Sequence, residues 1–91
     1  MKFEWDQDKS KSNKIKHGID FTVARALWND PDRIVIRAPY PLENRYIMIA
    51  QIEDKIWAAI YTIRGSSFRI ISVRRARKKE EDLYGKEKIR N

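Results

Sequence analysis

The chain has 91 residues, enough for one domain with a single modest core. Twenty Lys and Arg against thirteen Asp and Glu give a formal net charge of +7 and a pI near 9.9. That balance favours a nucleic acid, an acidic protein or an anionic surface as partner. The chain has no cysteine, which excludes a disulfide framework and points to a reducing, cytoplasmic setting. No signal-peptide pattern opens the sequence, and no apolar run approaches the roughly 20 residues that span a bilayer, so no membrane association is expected.

Lys2 to Trp5 alternates, with Phe3 and Trp5 on one side, and reads as a short half-buried strand. Asp6 is a candidate cap for a helix over residues 7–17. Ile15 is the only large aliphatic residue of that helix, and Lys9, Lys11, Lys14 and Lys16 make it basic. It is therefore either a solvated cover or a binding face. Gly18 is a left-handed stop, and Asp20 caps a second helix in which Phe21, Ala24, Leu27 and Trp28 form one apolar stripe. Asn29-Asp30-Pro31 ends it, and Arg33 to Arg37 is a short strand broken by Pro39 and Pro41.

Three strands follow, over residues 45–52, 56–64 and 67–74, and their short turns make neighbours antiparallel. A last helix starts near Ala76, with Gly85 as an interruption and residues 86–91 as a basic tail. The expected architecture is α+β: an antiparallel sheet, two N-terminal helices and a C-terminal helix. One domain is expected over residues 1–85.

The turns fall at Glu53-Asp54-Lys55 and Gly65-Ser66, and if both contain an even number of residues, directly opposed residues have opposite parity. Arg45, Arg64 and Arg69 then meet at one end of a single face, and Arg74 points to the other face. Three neighbouring guanidiniums repel one another unless an anion or carboxylates sit among them. Two readings stay open: an anion site, or pairing with Glu43, Glu53 or Glu80. A one-residue bulge in either hairpin would break the alignment.

One histidine and scattered carboxylates provide no spaced metal-ligand set, so neither metal nor cofactor is expected. With three glycines there is no phosphate-cradling loop, and no nucleophile elbow surrounds His17. The chemistry left is metal-free cleavage of a phosphodiester. RNA cleavage needs a base for the 2′-OH, cations for the phosphorane, and an acid for the leaving 5′-oxygen. His17 can serve as acid or base, because imidazole titrates near neutrality. A histidine at a helix C-terminus is also a common capping residue that interacts with the helix dipole. Lys16 and the arginines would supply positive charge.

Laid out in order, these residues resemble the BrnT family of bacterial type II toxins, small ribonucleases with a RelE-like fold. The resemblance is carried by Phe3-Glu4-Trp5-Asp6, Lys9, Asn13, Lys16-His17-Gly18, Phe21, Ala24 and Asp30-Pro31. It continues through Glu43-Asn44-Arg45-Tyr46, Tyr61-Thr62, Arg64, the run Arg69 to Ala76, Glu80 and Tyr84. Val23 and Val73 depart from the commoner pattern. The resemblance implies an endoribonuclease that blocks translation and is neutralised by a cognate DNA-binding antitoxin. The complex would then reach operator DNA through the antitoxin. It assigns His17, Lys16, Arg64 and Arg69 to the chemistry. Arg45, Arg74 and Arg75 would hold phosphates, and Tyr46 or Tyr61 would stack a base. A non-enzymatic nucleic-acid-binding module and a protein-interaction domain are the alternatives.

Overall fold

A computed structural model describes the backbone of residues 1–90 and the side chains of residues 1–86. Its elements are β1 (Lys2–Glu4), α1 (Gln7–His17), α2 (Phe21–Ala24), a 3₁₀ segment (Arg25–Asn29), β2 (Ile34–Ala38), β3 (Arg45–Ile52), β4 (Lys55–Arg64), β5 (Ser67–Arg75) and α3 (Lys78–Arg90). Local chemistry explains most of these boundaries. The Asp6 carboxylate accepts from the Asp8 and Lys9 amides at 2.9 and 3.3 Å, which starts α1. Gly18, at φ 81°, ends it in the left-handed conformation, its amide donating to the Lys14 carbonyl. Asp20 accepts from the Val23 amide at 2.8 Å and starts α2. The stripe Phe21, Ala24, Leu27 and Trp28 is buried as expected, but the helix tightens to 3₁₀ geometry after Ala24.

The sheet order is β1-β5-β4-β3-β2. The pairs β2–β3, β3–β4 and β4–β5 are antiparallel, whereas β1 runs parallel to β5. The sheet is therefore mixed, not purely antiparallel. A tight turn dictates direction between consecutive strands, but β1 and β5 lie at opposite ends of the chain and no turn links them.

A second correction concerns register. Residues 61–64 pair with 70–67 in the opposite-parity pattern, but a bulge follows, and Ile60, Ala59, Ala58 and Trp57 face Ser72, Val73, Arg74 and Arg75. The extra residue, Ile71, reverses the facing of everything after it. Arg74 therefore shares a face with Arg69, and Arg75 turns to the other side. Gly85 lies inside α3 without interrupting it, and α3 runs across the expected 85/86 boundary. Of the expected tail, the side chains of residues 87–91 lie outside the described residues.

The main core forms between α2, the 3₁₀ segment and one sheet face, where Phe21, Leu27 and Trp28 pack on Met48, Ala50, Trp57, Ala59, Tyr61, Ile70 and Val73. Phe3 and Phe68 join Trp28 in an aromatic cluster. α3 packs against β3. The Tyr84 hydroxyl donates to Asp30 Oδ2 at 2.6 Å and lies 3.4 Å from Gln51 Oε1. Burial and the neighbouring Asp30 carboxylate both push the Tyr84 pKa upward.

Docking of α1 is mainly polar. Its only large aliphatic, Ile15, is 87% exposed, and its buried residues are Ser10 and Asn13. The Asn13 amide donates to the Val73 carbonyl at 2.8 Å and accepts from the Val73 amide at 3.1 Å. It also donates to the Ile19 carbonyl at 2.8 Å, while Ser10 Oγ accepts from the Phe21 amide at 2.9 Å. Removing Asn13 strands a buried donor and two buried acceptors together. Asn13→Ala is expected to lower unfolding free energy by about 2–4 kcal/mol. Urea titration with an unchanged m-value checks this; a loss below about 1 kcal/mol, the net worth of a single hydrogen bond, contradicts it.

Candidate active site

β5 bears Arg69, Arg74 and Arg75, more of the expected site residues than any other element, because it is a long strand with cationic side chains on both sides of its apolar centre. At its start, Glu4 pairs in register with Arg69, and Arg69 with Thr62. Arg45 begins β3 one residue before the Tyr46–Tyr61 pair, which carries the same row onto a third neighbour. Glu4, Arg69, Thr62 and Arg45 thus lie across four strands on the sheet face opposite the main core. Strands roughly 4.8 Å apart separate Arg69 from Arg45 by about 10 Å.

Each charge in this row has a different environment. Arg69 Nη1 donates to Glu4 Oε2 at 2.9 Å, with the two side chains 28% and 40% exposed. Its other N–H groups have no acceptor among the described residues. Arg45 stacks its guanidinium over the Tyr40 ring at 4.5 Å, and its buried Nε lacks a partner among the described residues. Thr62, almost fully buried, donates its hydroxyl to the Asn44 carbonyl at 2.7 Å and anchors the start of β3. Arg64, in the last register pair before the turn, meets Glu43 at 3.4 Å and is half exposed, so the pair is weak.

Arg74 is committed elsewhere. Two of its nitrogens meet the two Glu80 oxygens at 2.8 and 2.9 Å, a bidentate clamp. Glu80 also accepts from the Arg77 amide at 2.7 Å, capping the first turn of α3. The Arg74 hydrogen bonds hold the Glu80 pKa below the ordinary carboxylate value, and Glu80 in turn raises that of Arg74. Arg75 stands over the Trp57 ring at 5.5 Å on the core side of the sheet.

Lys16 and His17, the last two residues of α1, line a shallow depression with Lys9, Ser12, Asn13, Ile71 and Ser72. Ile71 is the bulged residue, two positions along β5 from Arg69, a rise of roughly 7 Å. Lys16 and His17 therefore flank the outer edge of the strand that carries Arg69. Tyr46 and Tyr61 stack on each other at 5.3 Å. Tyr61 is 4% exposed and edge-on to Trp28 and Phe68, so neither of its ring faces is free. Burial, and next the neighbouring Tyr46, raise its pKa.

The structure thus brings Arg45 and Arg69 into one row, with Lys16 and His17 beside it. Arg64 lies at the hairpin end, and Arg74 and Arg75 at the α3 end. Two pairings among the expected carboxylates occur, Glu43 with Arg64 and Glu80 with Arg74. Sequence reading missed Glu4 as a partner of Arg69, since no turn announces that β1 joins β5. Alternation alone did place Glu4 on the side of its strand opposite Phe3. Among the described residues, no three His, Cys, Asp or Glu side chains group to hold a metal ion, and no helix is long and apolar enough to cross a membrane.

A family model described as the ribonuclease toxin BrnT of a type II toxin–antitoxin system matches residues 5–80. The chain belongs to the BrnT family of ribonuclease toxins. A search of curated proteins returned no match. Membership makes the toxin a ribonuclease with RNA as substrate and an antitoxin as partner. The matched segment includes Lys16, His17, Arg45, Arg64, Arg69, Arg74 and Arg75, and ends on Glu80, the carboxylate that clamps Arg74.

The Arg74–Glu80 clamp makes toxin stability pH-dependent in a stated direction. A carboxyl whose folded pKa is depressed stabilises the fold above its unfolded pKa, and that contribution fades as pH falls through the folded value. For Glu80 the loss occurs below its ordinary value of 4.5. Glu80→Gln is expected to be less stable than wild type at pH 7, with the difference shrinking towards pH 3. Thermal melts across that range check this; a pH-independent difference contradicts it.

Proposed function

We propose that the toxin is a metal-independent endoribonuclease whose cleavage site lies on the sheet face opposite the main core, centred on Arg69. One observation carries the reading. Arg69 sits on an inner strand, is held at one nitrogen by Glu4, and presents its remaining N–H groups to solvent on a charged row. A guanidinium so fixed can meet a phosphate without first being ordered, which is what stabilising a developing phosphorane requires.

In this reading RNA crosses the sheet at the row. Arg69 binds the scissile phosphate, and Arg45, about two strands away, takes a neighbouring one. His17 transfers a proton at the edge of β5, and Lys16 beside it adds positive charge. Arg64, loosely held by Glu43, swings to a phosphate as RNA arrives. Arg75 and Tyr46 lie on the core side of the sheet and would meet RNA only where it passes beyond the row; of the two tyrosines Tyr46 is the better candidate for stacking a base. Arg74 keeps α3 in place and contributes charge only.

The finer family expectations fit the same scheme: a RelE-like fold, translation inhibited through RNA cleavage in the cytoplasm, and a cognate antitoxin that neutralises the toxin. The antitoxin would also carry the complex to operator DNA. A positive toxin face is chemically suited to an acidic partner surface that excludes RNA by charge competition.

Incubation of purified toxin with end-labelled single-stranded RNA in EDTA is the test. Cleavage at defined positions leaving 2′,3′-cyclic phosphate ends is expected. Arg69→Ala should cut at least about 100-fold more slowly, the cost of losing one preorganised donor, with an unchanged melting profile. RNA that is retarded but intact would make the protein a binder.

A further inference from the structure

We propose that Glu4 is the general base of the cleavage reaction, taking the proton from the attacking 2′-hydroxyl. The inference rests on the Arg69-centred reading above and adds a residue that lies just outside the segment matched by the family model.

Position is the first argument. Glu4 is the last residue of β1, in register with Arg69, on the sheet face opposite the aromatic pair Phe3 and Phe68. Its side chain is 40% exposed, so substrate can reach it. Only one of its oxygens engages Arg69, through a single 2.9 Å hydrogen bond. The other, Oε1, has no donor among the described residues. This differs from Glu80, whose two oxygens are both bonded and whose side chain is 14% exposed. The three carboxylates that pair with arginines on this face are therefore not equivalent. Glu80 is saturated and structural, Glu43 meets Arg64 loosely at 3.4 Å at the hairpin end, and Glu4 holds Arg69 firmly while keeping an acceptor free beside it.

Chemistry is the second argument. A phosphate held by Arg69 lies within reach of a Glu4 oxygen, since the two side chains already touch. In-line cleavage needs the base at the 2′-oxygen and the acid at the 5′-oxygen. Glu4 neighbours Arg69 across the β1–β5 pair, and the His17 depression lies farther along the same outer edge of β5, roughly 7 Å on at Ile71, so the two groups address different oxygens of a phosphate held by Arg69. The step then balances. Glu4 removes the 2′-hydroxyl proton as the 2′-oxygen bonds to phosphorus. The bond from phosphorus to the 5′-oxygen breaks, and His17 in its imidazolium form protonates that oxygen. The products are a 2′,3′-cyclic phosphate and a 5′-hydroxyl, with Arg69 carrying the phosphorane charge throughout.

Substitutions of Glu4 and His17 in the full chain, assayed on one mapped cleavage site, separate the roles. Glu4→Gln preserves shape and one hydrogen bond to Arg69, and should lose on the order of 10²–10⁴-fold in kcat with KM little changed. Glu4→Asp should retain part of the rate. An RNA with a bridging 5′-sulfur at the scissile linkage has a leaving group that needs no proton. On it His17→Ala should recover most of its lost rate, while Glu4→Gln should stay as slow as on ordinary RNA. Glu4→Gln cutting within threefold of wild type, or recovering on the sulfur substrate, overturns the assignment and leaves the Arg69 reading intact. Wild-type protein that leaves RNA uncut overturns both.

Discussion

One side-chain amide holds the site together. β1 covers only Ser67, Phe68 and Arg69 of β5, which leaves the outer edge of that strand without a backbone partner near Val73. The Asn13 amide has a donor and an acceptor spaced like those of a peptide group, and it bonds both the carbonyl and the amide of Val73. A single residue thus continues the ladder where no strand is present. The consequence reaches beyond edge protection. Hydrophobic contact tolerates sliding, but a paired hydrogen bond sets one position and one rotation of a helix. Lys16 and His17, three and four residues on from Asn13, are thereby placed at the β5 bulge.

The bulge at Ile71 divides the labour of β5. Without it, strict alternation would send Arg69 and Arg74 to opposite faces. With it, both share the face opposite the main core, and Val73 turns inward to be fully buried in that core. Arg74 can then reach Glu80 at the start of α3, and the clamp ties the helix to the sheet. Arg75, on the core side, stacks on Trp57 instead. Two adjacent arginines of the same type thus have different partners because one residue was inserted three positions earlier.

Much of this was legible in the sequence. Asp6, Gly18 and Asp20 announced the helix boundaries, and the stripe Phe21, Ala24, Leu27 and Trp28 announced the main core. Both hairpins were readable from turns around residues 53–55 and 65–66; the first turn proves one residue shorter, with Lys55 already in β4, and the even-turn register holds nearest each turn. What was not legible shares a cause. The pairing of β1 with β5, the Asn13–Val73 bonds and the Glu4–Arg69 contact all join residues about 60 or more positions apart, with no local chemistry to announce them. The bulge is local but leaves no mark, since Ile70-Ile71 reads as ordinary strand and no glycine flags the irregularity.

Charge explains why the apo site can exist at all. Several guanidiniums on a small sheet face would destabilise the fold by mutual repulsion. The structure answers with carboxylates of graded commitment. Glu80 holds Arg74 at both ends and is itself bonded by a helix amide, so exchange for a phosphate would also open the first turn of α3. Glu43 touches Arg64 at 3.4 Å in solvent, so exchange there costs almost nothing. Glu4 lies between these extremes, close enough to orient Arg69 and free enough to act. The same pairing that makes the empty face tolerable therefore sorts its arginines. Those with weak or one-point partners are available to RNA, and the one with a saturated partner is part of the scaffold.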